Sequence, residues 1–240
     1  MPAEGWDKAL KPSQNEAEGF SLRIVIFSNG RVEHPEIDRD HLRPDDHLYA
    51  ADGGLHHILA FDQLPNLVIG DLDSIDGGLV RRLKSRSIEI LQYPPRKDET
   101  DLELALREAV KRGAEEILIF GALGGRWDQT FANILLPTLP EFQKAEITFI
   151  DGQQEIHWIG PGHTFQLKGK PGDTVSLIPL TGDVDGVRTS GLEYPLQGES
   201  LRFGTTRGVS NVLTSPTASV DIESGILLCV HQRSGKLAGE

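Results

Sequence analysis

Several short stretches hold residue types suited to phosphate and divalent metal: Ala51-Asp52-Gly53-Gly54, Gly70-Asp71-Leu72-Asp73-Ser74, Lys97-Asp98-Glu99-Thr100-Asp101 and Gly121-Ala122-Leu123-Gly124-Gly125-Arg126. Asp71 and Asp73 lie two apart after an apolar run, which lets both carboxylates reach one hard cation. Mg²⁺ suits such a pair, because it keeps several waters and is usually shared between one or two carboxylates and substrate phosphates. An isolated Asp-x-Asp is more often a polar turn. Here Asp52 and Asp98 or Asp101 occupy comparable positions, and carboxylates gathered without a cation repel one another. Asp101 begins a helical pattern, where complementarity to the helix dipole already favours an acid. Asp98, outside that helix, is freer to act as a ligand. The segment from Gly121 to Arg126 combines glycines with a cation ahead of a helix, which allows a phosphate chain to approach backbone amides closely. It lacks the Gly-Lys-Ser/Thr ending of a Walker A loop. Asp128 and Asn133 follow within the helix, facing the crevice or solvent, and Arg96 and Lys97 are nearby cations available to phosphate oxygens, although exposed basic residues are ordinarily only solvated.

These residues need a frame that brings them together. From Leu22 to about Ile150, β-branched runs alternate with helical patterns, and strands are predicted at Leu22–Phe27, His47–Ala51, Leu67–Ile69, Ile88–Leu91, Ile117–Phe120 and Ile147–Ile150. The clearest helix is Asp101–Arg112, where Leu102, Ala105, Leu106, Ala109 and Val110 share one face. Thr100 to Glu103 reads as a capping box and Gly113 as the stop. This alternation predicts an α/β domain with a mostly parallel sheet flanked by helices. Ser28-Asn29-Gly30 and each motif above then fall at C-terminal strand ends, where open parallel sheets bind ligands.

After about Asp151 the texture becomes short alternating segments broken by Gly, Pro, Asp and Ser. Strands are predicted at Val175–Leu180, Leu192–Leu196, Ser200–Phe203, Ala218–Ile222 and Ile226–Val230, giving an all-β, sandwich-like C-terminal domain. The expected organisation is a loose tail over residues 1–19, an α/β domain over 20–150 and a β domain over 151–240.

The 240 residues carry 24 Lys plus Arg against 36 Asp plus Glu, a net charge of −12. Such a surface argues against nucleic acid and anionic membranes as partners. One cysteine, Cys229, excludes an intrachain disulfide and any multi-cysteine metal site, and it reads as a buried small hydrophobe. His56, His57, His157 and His163 lack metal-ligand spacing and read as structural or solvated. With no apolar run of membrane-spanning length and no signal-peptide pattern, the cytoplasm is the expected setting.

Taken in order, Ala51-Asp52-Gly53-Gly54, Gly70-Asp71-Leu72-Asp73-Ser74, Thr100-Asp101-Leu102, Gly121 with Gly124-Gly125-Arg126 and Asp128, Ser176-Leu177 with Pro179-Leu180, Gly191-Leu192 and Ser210-Asn211 resemble thiamine pyrophosphokinase (thiamine diphosphokinase) from about residue 24 to 230. The resemblance implies an α/β nucleotide-binding domain, a β-sandwich domain and a homodimer with thiamine bound between subunits. It implies transfer of the pyrophosphoryl group of ATP to the hydroxyethyl oxygen of thiamine, giving thiamine diphosphate and AMP. Carried over by position, Asp71, Asp73 and Asp98 are the Mg²⁺ ligands and, with Asp101, the catalytic carboxylates. Asp52, Gly53, Thr100, Gly124, Gly125, Arg126 and Asp128 fall on the nucleotide side. Tyr194, Ser210 and Asn211 fall on the thiamine side, with Tyr194 where animal-type relatives have Trp. Tyr keeps a π face for the cationic thiazolium. A hydroxymethylpterin pyrophosphokinase, a nucleotide-sugar glycosyltransferase and a non-catalytic Mg-nucleotide sensor are the alternatives.

Overall fold

Strand β1 (Arg23–Phe27) is an Arg-Ile-Val-Ile-Phe run in which every residue is buried, as expected of a central parallel strand covered on both faces. The structure, a computed structural model, describes residues 21–32 and 35–234. The tail expected over residues 1–19 lies outside the described residues. The chain divides into two compact units between Gly152 and Gln153.

In the first unit, β1 is followed by β2 (His47–Ala51), β3 (Leu67–Gly70), β4 (Glu89–Gln92), β5 (Glu116–Phe120) and β6 (Glu146–Asp151). Their order is β6-β5-β1-β2-β3-β4, and every pairing is parallel. Helices α1 (Pro35–Asp38), α2 (Leu55–Ala60), α3 (Gly77–Ser85), α4 (Asp101–Lys111) and α5 (Trp127–Leu135) lie between strands. The core joins Val25, Phe27, Leu118 and Phe120 of the sheet to Ile58 of α2 and Leu83 of α3. Phe27 and Phe120 stack with ring centroids 5.0 Å apart. From β1 the chain builds outward through β2, β3 and β4, then returns to the other side of β1 with β5. The strand order therefore reverses between β1 and β5, a topological switch point, beside which sheets of this class bind ligands.

Helix α4 forms as its periodicity predicts, and Gly113, at φ +84°, stops it. Half of the capping box is present: Thr100 Oγ1 accepts from the Glu103 amide at 3.2 Å. The Glu103 carboxylate pairs instead with Arg107, at 2.9 Å.

The second unit contains β7 (Gln154–Ile159), β8 (Phe165–Lys168), β9 (Thr174–Pro179), β10 (Val184–Ser190), β11 (Gln197–Leu201), β12 (Asn211–Val212), β13 (Thr217–Asp221) and β14 (Leu227–Gln232). Within it, the antiparallel orders β12-β9-β14-β7 and β11-β10-β13-β8 share one core, with Val175, Leu177, Leu227 and Cys229 meeting Leu167, Val187, Leu201 and Val220. Sequence patterning misses β7, β8, β10 and the two-residue β12. Strand β10 breaks its alternation at Gly186 and Val187, which are both buried, and its pairing with β11 shifts register there. The strand predicted at Leu192–Leu196 does not form: only Leu192 bridges, to Leu213, and the Tyr194 backbone bonds to a side chain. The strand expected at Ser200–Phe203 instead runs from Gln197 to Leu201, and the Phe203 amide bonds the Asp183 carboxylate at 2.9 Å.

His231, a residue that sequence analysis did not single out, is fully buried in this unit. Its Nε2 lies 2.9 Å from Asp173 Oδ2, and its Nδ1 lies 3.6 Å from Glu155 Oε2. Asp173 also accepts from the Ser234 hydroxyl at 2.6 Å, the Ser234 amide at 2.7 Å and the Lys170 amide at 2.8 Å. Cys229 is buried as expected, and burial, with Glu155 nearby, pushes its thiol up to about 12. No helix among the described residues is long and apolar enough to cross a membrane.

Candidate active site

The C-terminal ends of the parallel strands enclose a cavity of about 320 Å³. Asp52, the first residue after β2, takes a left-handed backbone conformation at φ +48°. Its Oδ1 accepts from Ser74 Oγ at 2.7 Å and its Oδ2 from Asn29 Nδ2 at 3.3 Å. After β3 the chain curls through Leu72 at φ +67°, and the Asp73 amide donates to Asp71 Oδ1 at 3.1 Å. The result is that one oxygen each from Asp52, Asp71 and Asp73 lies within 4.8 Å of the others. Repulsion from Asp71, reinforced by Asp52 and Asp101, raises the Asp73 carboxyl above the usual aspartate range. An all-oxygen, like-charged donor set of this kind fits a hard divalent cation such as Mg²⁺.

Gly70 makes the crowding possible. At φ +151°, a side chain there would be strained, and its Cβ would stand 3.2 Å from Asp52 Cβ and 3.4 Å from Asp101 Cγ. Asp101, at the start of α4, accepts from Lys97 Nζ at 2.7 Å. Thr100, the N-cap, lines the cavity beside it.

The opposite wall is the loop after β5. The Gly30 amide donates to Gly121 O at 2.9 Å, and a Cβ on Gly30 would overlap that oxygen, so the loops after β1 and β5 touch backbone to backbone. Helix α5 pins the loop from behind: Asn133 Nδ2 donates to Ala122 O at 2.7 Å, and Thr130 Oγ1 to Gly124 O at 3.3 Å. Gly121 and Gly124 take positive φ, +66° and +78°, and line the cavity.

Several predicted residues fall elsewhere. Asp98 is exposed in the loop before α4, outside both the carboxylate cluster and the cavity lining, because the turn into the helix directs Lys97 and Asp101 inward. Arg126 and Asp128 are 68% and 65% exposed, and they pair with each other, Nε to Oδ1, at 3.1 Å. Each holds the other charged, raising the guanidinium pKa and lowering the carboxyl. Neither lines the cavity, nor do Gly53 and Gly125. Gly53 serves packing instead, since a Cβ there would collide with the Asn29 side chain.

In the second unit, Tyr194, Ser210 and Asn211 come together. Asn211 Oδ1 accepts from the Tyr194 amide at 3.0 Å, and Nδ2 donates to Tyr194 O at 2.8 Å. Tyr194, held by these two hydrogen bonds, is 66% exposed, which rules out a core role for its ring. Ser210, at φ +61°, donates its amide to Ser176 Oγ at 3.0 Å.

A family described as thiamin pyrophosphokinase, catalytic domain, matches residues 40–149. A second, thiamin pyrophosphokinase, vitamin B1 binding domain, matches residues 162–227. The thiamine pyrophosphokinase of Bacillus subtilis (strain 168) is 31% identical over 180 residues, covering 75% of this chain and 84% of that protein. The chain belongs to the thiamin pyrophosphokinase family. Crystal structures agree: that of thiamine pyrophosphokinase from Bacillus subtilis superposes with a TM-score of 0.79 at 27% identity, over 89% of this chain and 100% of its own. The one from Geobacillus thermodenitrificans gives 0.77 at 27% identity, over 90% and 99%. The pterin, glycosyltransferase and sensor readings are not favoured by these matches.

As a thiamin pyrophosphokinase family member, the chain places Asp52 with the Asp71–Asp73 pair, whereas the resemblance assigned Asp52 to the nucleotide side and Asp98 to the metal. Asn29, Ser74 and Gly70 also escaped assignment by sequence. Their signal was present in Ser28-Asn29-Gly30 and Gly70-Asp71, which abut strand ends, but their partners are distant in sequence.

Proposed function

We propose that this chain is a thiamine diphosphokinase that transfers the pyrophosphoryl group of Mg-ATP to the hydroxyethyl oxygen of thiamine, giving thiamine diphosphate and AMP. The observation that carries the reading is the grouping of Asp52, Asp71 and Asp73 beside a glycine-lined cavity, in a chain of this family. These three carboxylates would hold Mg²⁺. Bound there, the ion supplies charge neutralisation for the phosphates. Around it, Asn29 and Ser74 fix both oxygens of Asp52. The positive-φ glycines at 121 and 124 let a phosphate chain approach the backbone, and Thr100 fixes the start of α4. Pyrophosphoryl transfer depends mainly on such positioning and charge compensation.

The acceptor side of the reading is Tyr194, Ser210 and Asn211. Tyr194 offers an exposed ring for a cationic thiazolium, and Asn211 holds the backbone that presents it. The working unit in this reading is a cytoplasmic homodimer, in which one subunit's acceptor residues serve the partner's carboxylates. Support comes from an apolar stripe on α5, where Trp127, Phe131 and Leu135, four residues apart, are 78%, 63% and 46% exposed. Incubation with Mg-ATP and thiamine should release AMP, and formation of ADP would refute the reaction. If the site is shared, mixing Asp71→Asn and Asn211→Ala chains under exchange at low thiamine gives more activity than the two variants assayed separately. No such gain would refute the shared site, and a fully active monomer by light scattering would refute the dimer.

A further inference from the structure

A cavity that receives a polyphosphate needs positive charge from the protein as well as from a metal. Among the described residues lining it, Lys97 is the one lysine or arginine, and it shares the cavity with Asp52, Asp71, Glu99 and Asp101. Lysine heads ordinarily stay in water, yet the Lys97 side chain is 11% exposed, with Nζ 2.7 Å from Asp101 Oδ1. An ammonium has three donors. Asp101 takes one, and Nζ has no other hydrogen bond among the described residues, the Tyr93 ring centroid lying 5.9 Å away. Asp101 is itself fixed, at the first turn of a helix capped by Thr100 and against the bare Cα of Gly70. In the loop after β5, Arg126 is 68% exposed, pairs with Asp128 at the surface and does not line the cavity.

We infer that Lys97 is a catalytic residue of the pyrophosphoryl transfer, donating to non-bridging oxygens of the transferred group, with Asp101 as its positioning residue. This rests on the reaction proposed above. In that step a bond forms between the thiamine hydroxyl oxygen and the β-phosphorus, and the bond from the β-phosphorus to the α,β-bridging oxygen breaks. The bonding pair leaves on AMP, and the hydroxyl proton passes to solvent. Negative charge shifts across the transferred phosphoryl oxygens as this happens, and a buried point charge with two free donors is suited to stabilise it. Lys97 precedes Asp101 by four residues, so the entry into α4 sets the distance between them.

The test compares Lys97→Met, Lys97→Arg, Asp101→Asn and Arg126→Ala with wild type in steady-state turnover and in equilibrium binding of Mg-ATP. Lys97→Met is expected to lower kcat by roughly 10²-fold, as loss of one charge-stabilising donor does, and to weaken Mg-ATP binding about tenfold. Lys97→Arg should retain more kcat than Lys97→Met, and the KM for thiamine should change by less than about threefold in both. Arg126→Ala should lose less than Lys97→Met in each measurement. Asp101→Asn, which keeps the ammonium but loosens it, should lower kcat about tenfold without raising the KM for thiamine. It also serves if Lys97→Met fails to fold, and wild-type kcat in Asp101→Asn would overturn the assignment. So would a folded Lys97→Met protein with near-wild-type kcat and Mg-ATP affinity, or a larger loss in Arg126→Ala. If wild type itself forms no AMP, the proposed reaction fails and Mg-ATP binding alone decides. Tenfold weaker binding in Lys97→Met then upholds the phosphate contact, and unchanged binding removes it.

Discussion

Each unit gathers carboxylates, and the two treat them in opposite ways. In the first, Asp52, Asp71 and Asp73 approach within 4.8 Å of one another, and none has a cationic partner among the described residues. In the second, Asp173 and Glu155 flank the buried His231 and accept hydrogen bonds or ion pairs from Ser234, Lys170 and Arg233. The pKa directions follow. Repulsion lifts Asp73. Burial alone would lift Asp173 and Glu155 as well, but the donors around them prevail and hold both well below the usual carboxylate range. Burial would lower His231, and its two carboxylates outweigh that and raise it. A compensated cluster is complete as folded, so it stabilises structure. An uncompensated one lacks positive charge, so it is where a ligand belongs.

The largest expected effect is at Asp173. Asp173→Ala is expected to cost about 3–5 kcal/mol of stability by stranding a buried imidazole, read as a lower denaturant midpoint. A loss below about 1 kcal/mol would mean the network is ornamental. Asp71→Asn and Asp73→Asn should show the reverse profile: turnover lower by roughly 10²-fold, about 2.7 kcal/mol, with an unchanged melting curve. If either folded variant keeps its Mg²⁺-dependent activity, the exposed cluster is not a site.

Gly70→Ala falls between the two. The strain of a side chain at φ +151° and contact with Asp52 and Asp101 predict a loss of about 1–3 kcal/mol, expressed in activity as well as in melting temperature. Wild-type activity in this variant would show that the spacing of those acids is slack. Tyr194→Ala, on the acceptor side, should raise the KM for thiamine by roughly 2- to 30-fold, the range of a cation–π contact, and spare that for ATP. An effect on ATP instead would move the acceptor site away from the second unit.

The smallest expected effect is a pH dependence of stability. His231, raised above its usual 6.5, contributes stability that is full below that value and is lost as pH rises through its folded pKa. Asp173 and Glu155, lowered from 3.8 and 4.5, contribute stability present above those values and lost as pH falls through their folded pKa values. Melting temperature should therefore be highest between roughly pH 5 and 6.5 and decline on both sides. His231→Gln should abolish the alkaline decline, and an identical profile in that variant would exclude His231 as its source.

The residues along the chain determined, by themselves, the elements whose signal is local. Apolar runs such as Ile24–Phe27 and the face of Leu102, Ala105, Leu106 and Ala109 show their period within one segment, and both form as read. The placement of acids after strands was legible for the same reason, since strand ends are visible in hydropathy. Strands β7, β8 and β10 were not legible, because polar residues and Gly186 blur their alternation and cross-strand pairing holds them. The tertiary structure alone decided which acids meet. Asp98 and Asp101 look alike in sequence, but one stays in the loop while the other meets Lys97 and Gly70. Arg126 reads in sequence as a phosphate-facing cation, and only the fold shows it at the surface beside Asp128, outside the cavity lining. His231 had no motif to mark it, because Glu155 and Asp173 reach it from other strands and loops. Charge acts through distance in space, and distance between residues far apart in sequence exists only once the chain has folded.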